Sequence, residues 1–208
     1  MYGHPKHLLS EADARAALAA FDRAALLVTH GRSGFCATHL PLVVREDRLI
    51  GHIARANPHW REAPCDALVV LAGAETYISP SWYETKAQSG RAVPTWNYET
   101  IHVHGAMTVY EDRARLLENV RALSDRHEAA MPAPWSVDDA PRDYIEALLN
   151  AIVGVELRIA RVEAKRKLSQ EKPAADRAGA LAALDASSDP RDRAIAAAMR
   201  AAVAPSTD

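Results

Sequence analysis

The sequence predicts a mainly β protein, a barrel or a sandwich, with helices around it. Three observations point there. Short strand-like runs recur at close spacing, Gly and Pro punctuate them, and the strands do not alternate regularly with helices as in a βαβ series.

Along the chain, Ser10 precedes E-A-D-A-R-A-A-L-A-A-F, a short helix with Ser10 as N-cap, acids in its first turn, and Leu18 and Phe21 on one face. Ala24 to His30 reads as a strand ending in G-R-S-G, a hairpin turn signal. Phe35 to Val44 follows, interrupted at Pro41, where a strand proline implies an edge, a bulge or an end. Arg48 to Ala54 alternates two faces. Ala67 to Leu71 is a continuous apolar run suited to a fully buried strand, with Glu75 to Ser79 as the next.

From Tyr77 to Gly105 the chain reads Y-I-S-P-S-W-Y, then V-P-T-W-N-Y, then I-H-V-H-G. Pro80 and Pro94 fix backbone angles and remove donors, and the residues before them are driven toward extended conformations. The expectation is a shaped aromatic loop between two strands, suited to a flat ligand or a subunit interface. Thr100 to Tyr110 is the strand after it. Asp112 caps a helix from Arg113 to about Ala130, with Leu116, Leu117, Val120 and Leu123 on one face. Pro141 starts a helix to about Asn150, and Ile152 to Val162 is a long last strand. Beyond Pro173 the chain is Ala-rich and charged, with D-P-R-D-R opening a final helix. This segment is expected to pack weakly or on a partner. The expected organisation is one domain over 1–170 and a partly helical tail over 171–208.

The chain has 208 residues, 49% of them apolar, and a formal charge of −2 with nine histidines, so its overall balance announces neither nucleic acid nor an anionic membrane. Cys36 and Cys65 have no metal or redox spacing, and a reduced cytoplasmic setting fits them. No secretory h-region opens the sequence, and no apolar run reaches the ~18 residues of a membrane span. Gly-x-Gly-x-x-Gly after a strand, a P-loop, a Gly-x-Ser-x-Gly elbow and a Cys-x-x-Cys-His haem attachment are all absent from the sequence.

Four groups of residues could carry chemistry. In G-H-I-A-R-A-N-P-H-W, Asn57 is an N-cap with Pro58 at the first helical position, and Arg55 just ahead would complete a phosphate site; the alternative is a structural turn with a solvated arginine. In the aromatic loop, Trp82, Tyr83, Trp96 and Tyr98 would line a slot for a planar ring, with Ser79, Ser81, Thr95 and Asn97 at its polar edge; the alternative is burial in a core or interface. His102 and His104 share a strand face and could reach a metal with His39 or His52, but no ligand cluster supports one, and satisfied histidines at a barrel rim fit better. At the basic end of the last strand, Lys167, Ser169 and Gln170 would close over an anionic or ring-polar ligand, against a plain solvated charge run.

These stretches together resemble the PaiB-type family of FMN-binding negative transcriptional regulators. The blocks are M-Y-G-H-P-K-H at 1–7, T-H-L-P-L at 38–42, G-H-I-A-R-A-N-P-H-W at 51–60, Y-I-S-P-S-W-Y at 77–83 and V-P-T-W-N-Y at 93–98. H-V-H-G at 102–105, L-S-D-R-H-E at 123–128, I-V-G-V-E at 152–156 and K-L-S-Q at 167–170 continue the series. Many separate blocks in order make the resemblance specific; the one local departure is Gly3-His4 before Pro5, and residues after Ala180 carry no block.

The resemblance implies a split antiparallel β-barrel with peripheral helices and a helical C-terminal tail, dimerising with FMN at the subunit interface. It implies Arg55 and Asn57 at the phosphate, a face of Trp82 or Trp96 along the isoalloxazine with Tyr83 and Ser79 nearby, Lys167 over the ligand, and Asn97, Ser169 and Gln170 at the ring heteroatoms. It implies a regulator with a redox-sensing role, although no helix-turn-helix is visible and only Lys165–Lys167 with Arg158 and Arg161 offers DNA a basic patch. The competing functions are a flavin-dependent oxidoreductase or flavin reductase, and a haem-binding split barrel with His102, His104 or His39 as axial ligand.

Overall fold

Pro41 decides the topology. In the computed structural model, which describes residues 1–31 and 34–202, it separates strand β2 (Gly34–Leu40) from β3 (Leu42–Arg45). The other strands are β1 (Ala25–Gly31), β4 (Arg48–Ala54), β5 (Cys65–Ile78), β6 (Thr95–Tyr110) and β7 (Ile152–Lys167). They form one seven-stranded sheet in the order β2-β1-β5-β6-β7-β4-β3. The β1–β2, β1–β5, β3–β4 and β4–β7 pairings are antiparallel. β2 and β3 are therefore the two ends of the order, which a flat sheet would hold about 29 Å apart at ~4.8 Å per strand. Two residues of chain span at most about 7 Å. The sheet must roll until its edges meet at Pro41, and no pairing joins β2 to β3 there. This is a barrel with a seam.

Two compact units interleave along the sequence. The second unit, 13–71 with 102–162, contains part of every strand. Alternating residues fill its core: Leu27, Leu49, Val69, Val103, Met107 and Leu157 are almost wholly buried. Helix α1 (Glu11–Ala20) buries Ala14 and Leu18. The helices over Glu84–Ser89 and Arg113–Glu128, α2 and α3, come next in the chain. Asp112 accepts from the Arg115 amide as the N-cap of α3, which lies against β3 and β4 and buries Leu116 and Leu123. Helix α4 (Arg142–Asn150) buries Leu149.

The first unit comprises 1–12, 72–101 and 163 onward. Helices α5 (Ala174–Ala186) and α6 (Pro190–Ala201) pack Ala180, Leu184, Ile195, Ala196 and Met199 against Ile78, Tyr83 and Leu168. The expectation of a weakly packed tail is corrected: these helices are core. Small alanines let the two helices approach closely, and the large apolar residues among them, Leu181, Leu184, Ile195 and Met199, pack into this core.

Other expectations compare residue by residue. Arg48–Ala54 is a strand with the expected ends, and Pro41 interrupts as expected. Arg32 and Ser33 of the expected hairpin turn lie outside the described residues. Two strands were expected within 67–79, but β5 is continuous. Gly73 is no break: a Cβ there would lie 2.8 Å from Glu99 Cβ and 3.0 Å from its carbonyl oxygen, so glycine permits close approach of the neighbouring strand.

Candidate functional site

The expected aromatic loop is mostly regular structure. Pro80–Trp82 is a single 3-10 turn capped by Ser79, whose hydroxyl accepts from the Ser81 amide. α2 follows it, and Thr95–Tyr98 begin β6. Pro94 therefore precedes a strand instead of holding a loop open. Strand alternation then splits the expected slot. Asn97 faces the core with no exposure, while Trp96 and Tyr98 share the opposite face. On that face the rings of Trp96 and Tyr77 meet edge to face, with centroids 6.1 Å apart. Lys165 Nζ stands 5.1 Å from the Tyr98 ring centre. Trp96 is 52% exposed and Tyr77 45%.

Trp82 and Tyr83 belong instead to the helical core. The Tyr83 hydroxyl is buried and, among the described residues, makes no hydrogen bond of full geometry, Ser169 being its polar neighbour. Burial pushes its phenol up, with the nearby Ser169 hydroxyl opposing. Asn97 and Ser169 hold each other, Nδ2 to Oγ at 3.0 Å and Oγ to Oδ1 at 3.2 Å. Ser169 takes a positive φ of 62° at the end of β7. The Gln170 side chain accepts from the Leu168 amide and donates to the Arg166 carbonyl, so it fastens this turn. Lys167 Nζ donates to Thr95 Oγ1.

Arg55 lies in the second unit, 40% exposed at its side chain. Its Nε donates to the Asn150 carbonyl at 2.8 Å and its Nη2 to the Ile152 carbonyl at 3.2 Å, while Nη1 meets Glu111 at 2.6 Å. A guanidinium on the Asn150 carbonyl, which ends α4, also complements the negative end of the helix dipole. Asn57 caps as expected, accepting from the His59 amide, but what it caps is a single 3-10 turn, Pro58–Glu62.

Sequence reasoning missed His59. It is 2% exposed, with Nε2 2.9 Å from Thr29 Oγ1 and Nδ1 2.8 Å from Thr38 Oγ1. Asn57 Nδ2 donates to Thr38 Oγ1 at 3.1 Å. The Thr38 hydroxyl accepts from Asn57, and the two ring nitrogens each have a threonine hydroxyl within hydrogen-bond reach. Burial lowers the ring's pKa and so favours its neutral form, with Glu62 opposing. The unfolded histidine takes up a proton near its ordinary value of 6.5 that folded His59 resists. The His59 contribution should thus be complete above that value and shrink as pH falls below it. We expect melting temperature to drop between about pH 7 and about pH 5 more in the wild type than in His59→Gln. Parallel profiles would remove this assignment.

His102 and His104 lie with ring centroids 6.5 Å apart, and among the described residues no group of three or more His, Cys, Asp or Glu could hold a metal. Cys36 and Cys65 are free thiols; burial raises Cys65, with Glu62, Asp66 and Cys36 adding to the effect. That is the environment of an unreactive thiol. No helix among the described residues is long and apolar enough to cross a membrane.

The chemistry of the first unit suits a flavin. Half-exposed aromatic faces offer a wall to a planar ring, and Lys165 and Lys167 bring positive charge beside it. Trp96 and Tyr98 of the expected slot stay together, and strand alternation along β5 is the signal that adds Tyr77.

Known proteins agree. Residues 1–161 match the family model described as "Putative FMN-binding domain". Lys167, Ser169 and Gln170 fall beyond that match. An uncharacterized protein of Aspergillus fumigatus is 36% identical over 167 residues, 64% of this chain and 64% of its own length. The "Protease synthase and sporulation protein PAI 2" of Bacillus subtilis is 36% identical over 146 residues, 67% of this chain and 68% of its own. The chain thus spans about two thirds of these relatives. Among solved structures, the FAD and heme binding protein of Mycobacterium smegmatis superposes with a TM-score of 0.60 at 15% identity, covering 84% of this chain and 80% of that one. Rv2991 of Mycobacterium tuberculosis gives 0.57 at 15%, covering 83% and 94%. These two share the split-barrel fold. The chain belongs to the PaiB-type FMN-binding domain family, whose cofactor is FMN.

Proposed function

We propose that the protein is a cytoplasmic homodimer that binds FMN and acts as a regulator of the PAI 2 type, sensing redox state through the flavin. The observation that carries this reading is the exposed aromatic face of β5 and β6. Tyr77 and Trp96 stand half in water on a sheet whose other side is covered by α5 and α6. Apolar faces of this kind mark binding surfaces, and a second copy with a flat ring between the copies would cover this one.

Bound FMN supplies reversible one- and two-electron chemistry. Trp96 and Tyr77 border the ring, and Lys167 favours negative charge at its polar edge. Asn97, Ser169 and Gln170 fix the turn that presents Lys167, while Ser79, Trp82 and Tyr83 support the wall from the core. The family resemblance carries Arg55 and Asn57, in the second unit, as candidates for a phosphate, and Arg55 would have to release Glu111 to take one. Direct DNA contact has weak support, since Arg158 and Arg166 are paired with Asp47 and Glu99.

Titration of free FMN fluorescence tests the reading. We expect saturable quenching, a dimer in sedimentation, and affinity reduced about tenfold or more, ~1.4 kcal/mol, in Trp96→Ala. Arg55→Met should weaken FMN and also lower the melting temperature, because the end of α4 and the start of β7 each lose a donor. A monomer that leaves FMN emission unchanged would refute the proposal.

A further inference from the structure

A groove of about 500 Å³ runs between α3, α4 and the 3-10 turn Val137–Asp139, wholly within the second unit. It shares no residue with the proposed flavin contacts. Leu117, Val137, Ile145 and Leu149 make an apolar floor, with Val137 and Leu149 buried and the other two half-buried. The volume is in the range that holds small organic ligands.

The charges around it choose among ligands. Arg113, Arg121 and Arg142 face Asp138 and Glu146. Arg121 pairs with Asp138 at 2.5 Å and Arg142 with Glu146 at 2.9 Å. Arg113 has only neutral acceptors among the described residues: Asn150 Oδ1 and the Glu146 carbonyl, the latter at 3.1 Å. Among the lining side chains three arginines meet two acids, and the arginine left without an acid partner there is Arg113. That residue opens α3, whose N-cap carboxylate, Asp112, is turned to the Arg115 amide. A planar guanidinium beside an apolar floor matches a carboxylate on an apolar body.

We propose that this groove binds a small amphiphilic monocarboxylate, its head on Arg113 and its aliphatic or aromatic body on Leu117, Ile145 and Leu149. A dication is repelled, a neutral alcohol leaves Arg113 uncompensated, and a dianion exceeds the single spare charge.

Calorimetric titration of the FMN-loaded protein with octanoate, benzoate and 1-octanol tests this. Octanoate or benzoate should bind saturably at one per chain, and 1-octanol about tenfold more weakly. Arg113→Met should weaken the carboxylate about tenfold or more while leaving 1-octanol unchanged, and Arg113→Lys should recover part of the loss. Ile145→Gln should weaken all three probes, with melting curves showing each variant folded. Equal binding of octanoate and octanol, carboxylate binding indifferent to Arg113, or no saturable heat with any probe would each overturn the proposal. So would a change of oligomeric state in Ile145→Gln, which would identify the occupant as a second copy of the chain.

Discussion

Leu184→Asp should unfold the first unit. Leu184 has no exposure and packs with Ile195, Met199, Tyr83 and Ile78. Even Leu184→Ala is expected to cost about 2–5 kcal/mol through lost burial and the cavity left behind. A carboxylate at that position has no cationic partner in the cluster and adds a desolvation cost to the cavity. Since whole domains are stable by only about 5–15 kcal/mol, such a change is decisive. The measurement is chemical denaturation followed by far-ultraviolet circular dichroism, with limited proteolysis to locate the loosened segment. Cleavage should concentrate between residues 171 and 202 and in 79–94. Wild-type stability in Leu184→Asp would mean that α5 and α6 are not core.

Gly105→Val should be as damaging in the second unit. A Cβ at Gly105 would lie 2.0 Å from the Arg158 carbonyl oxygen and 2.8 Å from Leu157 Cδ2. The first of these is backbone, so relief requires β6 and β7 to separate locally. Overpacking costs about 1–3 kcal/mol where side chains can move, and more where a strand must shift. Gly105→Ala is the milder member of the pair and should lower the denaturation midpoint measurably, while Gly105→Val should leave little soluble protein. Both variants melting like the wild type would show that the two strands are not packed as closely as described.

Much of this fold was legible in the sequence where one local rule decided the outcome. Arg48–Ala54 alternates cleanly, and both its ends are where the pattern puts them. Asp112 announces α3 because a capping carboxylate followed by a periodic apolar face has one common meaning. The failures came where a local signal had two meanings. Gly73 weakens a strand by propensity yet permits the approach of Glu99. Pro94 excludes a strand interior but is acceptable just before one, and reading it as loop chemistry hid the alternation of Trp96, Asn97 and Tyr98. The alanines of 174–201 suggested little buried area, because composition does not show that the large apolar residues among them pack into one core.

The candidate site was legible in kind and less so in geometry. Aromatic residues and cations left a planar anionic ligand open beside a core or interface role, and the family resemblance chose the ligand. Nothing local in the sequence could show that the Arg55 donors hold the end of α4 and the start of β7, since Asn150 and Ile152 are about a hundred residues away. The same is true of His59, whose two threonine partners come from separate strands.

The junction at Pro41 gives the rolled sheet an unusual kind of lock. The margins of β2 and β3 are kept adjacent by chain connectivity, through one residue that has no amide hydrogen to donate. Lengthening this tether would remove no ladder hydrogen bond; it would relax a length constraint, at an entropic cost that grows only logarithmically with the added residues. The outer rows of peptide groups on those two margins are not paired with each other, and margins free to part would admit a foreign strand between them. A single imino acid thus acts as the clasp of the cylinder, and its shortness guards against edge-on aggregation.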